Sequence, residues 1–283
     1  MTEAGTPGVS ARQLERDAYR RRRARTRAAV AVVSTVVVLG VLTAGVLLSP
    51  GWPRVRETYF NLGEARSVFP EVAKAFVLNI RLFLVAEVFI LIVAIIVAII
   101  RVVPSPALAP IKLLAVVYTD VFRGTPTILV VFLVGFGVPA LGLAGLPTSL
   151  FWLGVIALTL SYGAYVAEVL RAGILSIHPT QWASGRALGL SYGKTLRLVV
   201  LPQAVRRVAP PLLNDFVSLQ KDTALLSIIG LVEALRVAQV DSGRTFHFSS
   251  YIVAALFFIA ATIPLARFTD YLTVRSLRRE NGI

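Results

Sequence analysis

The chain has 283 residues, 56% of them hydrophobic and only 16% charged, with a mean hydropathy of +0.76 and a formal net charge of +14. That apolarity excludes an ordinary soluble domain and indicates a polytopic membrane protein, in which excess Lys and Arg orient the chain rather than bind nucleic acid. There is no cysteine, and His178 and His247 are far apart, which excludes disulfides and leaves no metal centre to propose.

Residues 1–27 read as a polar cytoplasmic tail ending in Arg20 to Arg23, Arg25 and Arg27. The charge-free run that follows is too long for a signal-peptide core and predicts a retained first span over 28–49. Residues 50–73 are mixed and polar, and are expected to form an external loop. A second span is predicted over about 75–100, ended by Arg101 and the proline-rich VVPSPALAP. A third runs from near Ile111 to about Gly137 and carries YTDVFRGTP, after which VPALGLAGLP turns outside the membrane. A fourth covers about 150–170. Next comes a polar, basic, glycine-rich island, Gln181 to Pro202 (QWASGRALGLSYGKTLRLVVLP). Pro210 and Pro211 are expected to open a fifth segment reaching about Val232, interrupted by Asp215, Lys221 and Asp222. The last span is about 249–272, followed by a basic tail, 273–283, with Arg275, Arg278 and Arg279.

The pattern predicts an all-α polytopic membrane protein with about six transmembrane helices and both termini in the cytoplasm. Of the 29 Lys and Arg residues, nineteen fall in segments assigned to the cytoplasm and six in segments assigned outside, as the positive-inside rule requires.

Enzyme chemistry finds no support. Gly189-Leu-Ser-Tyr-Gly193-Lys194-Thr195 has three residues between its glycines where a phosphate-binding loop needs four, and no apolar strand precedes it. There is no HExxH or GxSxG, so no catalytic residue is proposed.

Ionisable residues inside spans carry more information, because they are costly in lipid. Asp120 and Arg123, spaced i, i+3, would share a helix face, either as a register-fixing pair or beside a solute path. Glu87 reads as a buried carboxyl bonded to a neighbouring helix, and Glu168 and Arg171 as interfacial. Asn214, Ser218 and Asp222 form one polar stripe if their segment is helical, suited to a hydrated path or to packing against other polar spans. The island is either a docking surface or a loop held by anionic lipid.

Gln181-Trp182-Ala183-Ser184-Gly185-Arg186-Ala187-Leu188-Gly189, then nine residues, then Val199-Val200-Leu201-Pro202, resembles the EAA loop of ABC-transporter permeases. Phe122-Arg123-Gly124-Thr125-Pro126, Ser161-Tyr162-Gly163-Ala164-Tyr165 with Glu168 and Arg171-Ala172-Gly173-Ile174, Leu201-Pro202-Gln203-Ala204, and Lys221-Asp222-Thr223 narrow the resemblance to the polar amino acid uptake branch (histidine, glutamine, glutamate type). It covers about 74–272, the five-span type I permease core, and leaves the N-terminal span as an addition.

The resemblance implies a plasma (inner) membrane permease subunit of an ATP-driven importer that brings a polar amino acid into the cytoplasm. Implied partners are a cytoplasmic ABC ATPase dimer, a second permease subunit (copy or homologue), an extracellular solute-binding protein and membrane lipid. It implies no cofactor on this chain, with ATP and Mg on the partner ATPase. Within a coupling loop of about 178–202, the implied contact residues are Gln181, Ala183, Ser184, Gly185, Arg186, Leu188, Gly189, Leu201 and Pro202. Path candidates are Arg123, Thr125, Glu168, Asn214, Ser218 and Asp222, with Arg123 suited to an α-carboxylate and Asp222 or Glu168 to an α-ammonium. One departure stands out: Ala183-Ser184-Gly185 replaces the family's Glu-Ala-Ala, removing a carboxylate and placing a weak helix former in the loop. Rival classes are an ion-driven secondary transporter, for which no inverted repeat is found, and an assembly subunit without a pathway.

Overall fold

The computed structural model describes residues 11–280, and no strand occurs among them. Residues 1–10 and 281–283 of the two basic tails lie outside the described residues, as do the side chains of Arg21, Arg275, Arg278 and Arg279. The chain divides after Glu57 into two units.

The first unit is dominated by α1 (Ala11–Leu47), one continuous helix that runs from the basic segment into the apolar one. Its apolar part, within Arg25–Leu47, is long and apolar enough to cross a membrane. A short helix, α2 (Trp52–Tyr59), follows.

The second unit is built on α3 (Leu62–Val102), which starts about twelve residues earlier than the expected span. Part of the segment read as a loop is therefore helical. Asn61 caps it, accepting from the backbone N–H of Gly63 (3.0 Å) and Glu64 (3.2 Å). Val68, Val72 and Phe76, one turn apart, then bury against Ala234, Ala238, Val253 and Ala254. At 41 residues α3 is about 60 Å long, roughly twice the hydrocarbon thickness. Farther along, Leu82, Ala86, Ile90, Ala94 and Ala98 form a helical stripe that packs on α6 (Leu150–Leu175), whose face is rich in Gly and Ala and admits close approach.

The expected third span is two helices, α4 (Ala109–Gly124) and α5 (Thr127–Ala140), bent by 108°. Pro126 causes the break: it pushes Thr125 into an extended conformation (φ −101°, ψ 127°). Two freed carbonyls find hydroxyl donors, Val121 from Thr125 Oγ1 (2.8 Å) and Arg123 from Tyr165 (3.0 Å).

After α7 (Pro179–Ala187) comes α8 (Tyr192–Ile229), helical throughout, with a π turn at Leu196–Val200 and a 3₁₀ ending at Thr223–Ile229. Pro210 and Pro211 sit inside this helix and do not open it. Val200, Ala204 and Val208 are buried upstream of them, so packing already fixes the helix where the prolines remove its hydrogen bonds.

The chain then bends by 48° into α9 (Ala234–Thr245) and continues into α10 (Ser249–Glu280). The bend is held by a buried polar knot. Glu233 caps α9 through the N–H groups of Leu235 (3.0 Å) and Arg236 (2.8 Å). Asn79 of α3 donates to Glu233 Oε2 (2.9 Å) and Thr223 Oγ1 (3.0 Å) and accepts from Ala234 N (3.1 Å). Among the described residues, four helices are long and apolar enough to cross a membrane, or up to six when each bent pair counts as one span.

Candidate functional site

The island folds into a compact elbow. His178 caps α7, its Nδ1 accepting from Thr180 N (3.3 Å), with Pro179 at the first helical position, where it needs no N–H partner. The helix ends in a Schellman turn: Leu190 N bonds Gly185 O (3.2 Å) and Gly189 N bonds Arg186 O (3.0 Å). Gly189 occupies the left-handed position that this turn demands, at φ +76°. Arg186 closes the turn from the side, donating to Leu190 O (2.9 Å). The Arg186 guanidinium is thus committed within the loop.

Gly185 is buried, and a Cβ on it would lie 2.5 Å from Thr195 Cγ2. The glycine that departs from the family pattern is therefore what lets α7 lie on the start of α8. Trp182 stacks on Tyr192 (4.9 Å between ring centroids), and both pack against Ile174, Ile177, Leu196, Val200 and Ala204. Gln203 ties Gln181 Oε1 (3.3 Å) to Val199 O (2.8 Å), and Arg207 donates to Ser176 O (2.6 Å). On this pedestal Gln181, Ala183, Ser184, Arg186, Gly189 and Pro202 are exposed, while Leu201 is half-buried in the anchoring cluster. Leu188, at the apex, is 80% exposed. The exposed surface of α7 and its C-terminal turn therefore carries Gln181, Ala183, Ser184, Arg186 and the apolar Leu188, without a carboxylate.

The path candidates separate into groups. Glu168 is ringed by guanidinium groups: Arg101 of α3 at 2.6 Å, Arg171 at 2.5 Å and Arg123 of α4 at 4.0 Å. Arg101 also donates to Thr119 Oγ1 (2.9 Å), so α3, α4 and α6 meet there. Of the two alternatives for Asp120 and Arg123, the register-fixing pair does not form: Asp120 is exposed, and the Arg123 guanidinium lies toward Glu168, 6.0 Å from the Tyr165 ring centre. Glu168 and Arg171 are members of an ion cluster rather than independent interfacial charges. Asp222 accepts a hydrogen bond from Tyr162 (2.8 Å), six residues or about 9 Å along α6 from Glu168. Thr125 bonds its own helix, Asn214 is exposed, and Ser218 and Glu87 are half-buried. Asn214, Ser218 and Asp222 lie on one continuous α-helix, the condition under which their spacing places them in one stripe.

The ion cluster lies at the same end of α3 as the elbow, since Tyr192 donates to Val102 O (3.5 Å), next to Arg101. The opposite end of α3 holds Asn61, whose N–H bonds Ser249 Oγ (3.0 Å). Sequence reasoning missed Arg101 and Tyr162 as partners, and missed Asn79 and Glu233 altogether. A lone amide inside an apolar helix and a Glu just ahead of ALRVAQ were the available signals. Among the described residues no group of three or more His, Cys, Asp or Glu is arranged to hold a metal.

Residues 107–278 match the family described as "binding-protein-dependent transport system inner membrane component". The arginine transport system permease protein ArtQ of Bacillus subtilis (strain 168) is 32% identical over 197 residues, covering 69% of this chain and 88% of ArtQ. The L-cystine transport system permease protein TcyB of the same organism is 37% identical, over 63% of this chain and 74% of TcyB. Among solved structures, a crystal structure of an amino acid ABC transporter with histidines aligns with a TM-score of 0.68 at 28% identity, covering 76% of this chain and 98% of that one. The membrane fold is that of an ABC type I permease, and ATP hydrolysis belongs to a separate subunit in this family. The chain is therefore a multi-pass inner-membrane permease subunit of an ABC importer and belongs to the binding-protein-dependent transport system inner membrane component family.

Proposed function

We propose that this permease moves a polar amino acid into the cytoplasm and is driven by an ATPase dimer that docks on the exposed face of α7. The observation that carries the coupling reading is Leu188, 80% exposed at the apex of a turn locked by two backbone bonds and the Arg186 bond. A rigid elbow on a buried pedestal can pass a displacement from a docked subunit to the spans it caps. The missing carboxylate makes this contact one of shape and apolar burial.

The cargo class is supported by the relatives' named cargo, arginine and cystine among them, and by the polar groups along α6. Arg123, 41% exposed and only loosely paired, is assigned to the substrate carboxylate, and Asp222 to the ammonium. Glu168 already has close bonds to Arg101 and Arg171, so its part is to hold Arg123 rather than to receive an ammonium group. Thr125, Asn214 and Ser218 are assigned to the walls of the path. Both termini and the 178–202 loop are assigned to the cytoplasm, where the basic residues are concentrated. In this reading an external solute-binding protein delivers the cargo, a second permease (copy or homologue) completes the pathway, ATP and Mg sit on the ATPase, and this chain binds no cofactor.

The test is to purify the assembled complex, identify its subunits, and measure ATPase stimulation by individual amino acids with the binding protein present. Stimulation by one or a few polar amino acids is expected. Stimulation only by a solute of another class, or amino acid uptake without an ATPase subunit, would overturn the reading.

A further inference from the structure

Residues before 107 fall outside the family match, and among them α1 belongs neither to the elbow nor to the polar groups along α6. From Ala28 to Leu47 it is free of charge, and 20 residues of helix span about 30 Å, the hydrocarbon thickness of a bilayer. Its hydroxyls need no outside partner there: Ser34 and Thr35 both donate to Ala31 O, at 3.0 and 2.7 Å. The side chains of this stretch are exposed, Val30 at 62% and Val38 at 56% among them. This is a helix suited to lipid on every side.

The helix continues without a break across Arg27 into the basic segment. Arg20, Arg22, Arg23, Arg25 and Arg27 are all exposed. At 100° per residue, Arg20, Arg23 and Arg27 fall on one side and Arg22 and Arg25 on the other. A helix lying flat on a membrane collects its basic residues on one face. Guanidinium groups that encircle the axis within eight residues, directly above a bilayer-length apolar stretch, describe a helix standing upright through the headgroup layer. The sequence supplies no carboxylate between Asp17 and Glu57 to neutralise them.

We propose that the arginines encircling the N-terminal half of α1 form a collar that binds anionic phospholipid headgroups in the leaflet where that half emerges. The charge complementarity is direct, because each positive side chain at headgroup depth attracts an anionic headgroup phosphate. The site is set at headgroup depth by the length of the uncharged stretch rather than by tertiary packing. It therefore confers a dependence on leaflet charge that is separate from the transport path.

The test uses the full-length chain in its complex, reconstituted into vesicles of equal phosphatidylglycerol and phosphatidylcholine, then extracted, with retained lipid quantified by mass spectrometry. Wild type and a variant with the five arginines changed to lysine should retain phosphatidylglycerol over phosphatidylcholine. Retention should fall about five-fold or more with Arg20→Gln, Arg22→Gln, Arg23→Gln, Arg25→Gln and Arg27→Gln combined. Should that variant fail to insert, R20Q/R23Q/R27Q gives a graded loss, and wild-type preference should decline as salt rises from roughly 0.05 to 0.5 M. Unchanged preference in an inserted Gln variant, or a preference insensitive to salt, overturns the proposal. Loss of a protein subunit with lipid retention unchanged overturns it too, in favour of an acidic protein partner.

Discussion

Gly185 lies directly over Thr195: a Cβ at the glycine would fall 2.5 Å from the threonine's Cγ2 and 3.1 Å from its Oγ1. Thr195 is fully buried, so it has no room to withdraw. Gly185→Ala should therefore lift α7 off its pedestal, at a cost of about 1–3 kcal/mol from overpacking. Thr195→Ser removes the methyl group that the alanine would strike. Thermal unfolding of the complex in detergent should show Gly185→Ala destabilised and the G185A/T195S double variant largely restored, a coupling that independent sites would not give.

Gly189 sits at φ +76°, where a side chain costs about 1–2 kcal/mol. Gly189→Val should disorder the elbow and lower transport, and Gly189→Asn should lower it much less, since Asn tolerates this conformation. Membrane insertion, followed by the amount of extracted protein, should stay unchanged in both.

Removing the carboxylate at the arginine cluster leaves three guanidinium groups facing one another. Glu168→Gln should cost on the order of 2 kcal/mol, less than a fully buried pair because Glu168 is 18% exposed. Arg101→Met should cost more than Arg123→Met, since Arg101 is 12% exposed and in close contact while Arg123 is 41% exposed and 4.0 Å away. If Arg123 carries the substrate carboxylate, Arg123→Met should raise the KM for uptake far more than it lowers stability.

Asn79→Ala would strip partners from Glu233, from Thr223 and from the first N–H of α9, all of them buried. About 1–3 kcal/mol per stranded group is expected, read as a lower melting temperature and faster amide exchange over residues 223–236. Asn79→Asp should be worse, because it faces the Glu233 carboxylate across the present 2.9 Å contact.

Phe246 is the one non-glycine residue at positive φ (58°) among those described, and it is 81% exposed. It ends α9 through its N–H to Ser242 O (2.9 Å), in the conformation that Gly usually supplies. Phe246→Gly should relieve that strain and raise the melting temperature slightly, a result that checks the corner geometry independently of transport.

How much of this was legible in the sequence follows from what each signal depends on. The uncharged stretches marked α1, α6 and α10 because a bilayer imposes length and apolarity on the chain directly. The elbow's turn was written locally, in Gly189. The break in the third span was present in Gly124-Thr125-Pro126, but an apolar count smooths over a two-residue kink. Pro210 and Pro211 pointed the wrong way, since burial of Val200, Ala204 and Val208 outweighs the local cost of proline. The Asp120–Arg123 pairing failed because helix spacing permits a contact without choosing it, and Glu168 on another helix offered the stronger one. Asn79 and Glu233 are 154 residues apart, and no local pattern joins them.

Transmission of ATPase motion to the permease through α7 is probed by Leu188→Asp in the reconstituted complex. Leu188 makes the apex of the elbow without belonging to its buried anchor, so the fold should survive the change. ATP-driven uptake and cargo-stimulated ATPase should both fall at least about ten-fold, a loss of roughly 1.4 kcal/mol or more in coupling, with insertion and melting temperature unchanged. Wild-type uptake and wild-type stimulation of the ATPase by cargo in that variant would show that α7 does not couple the two subunits.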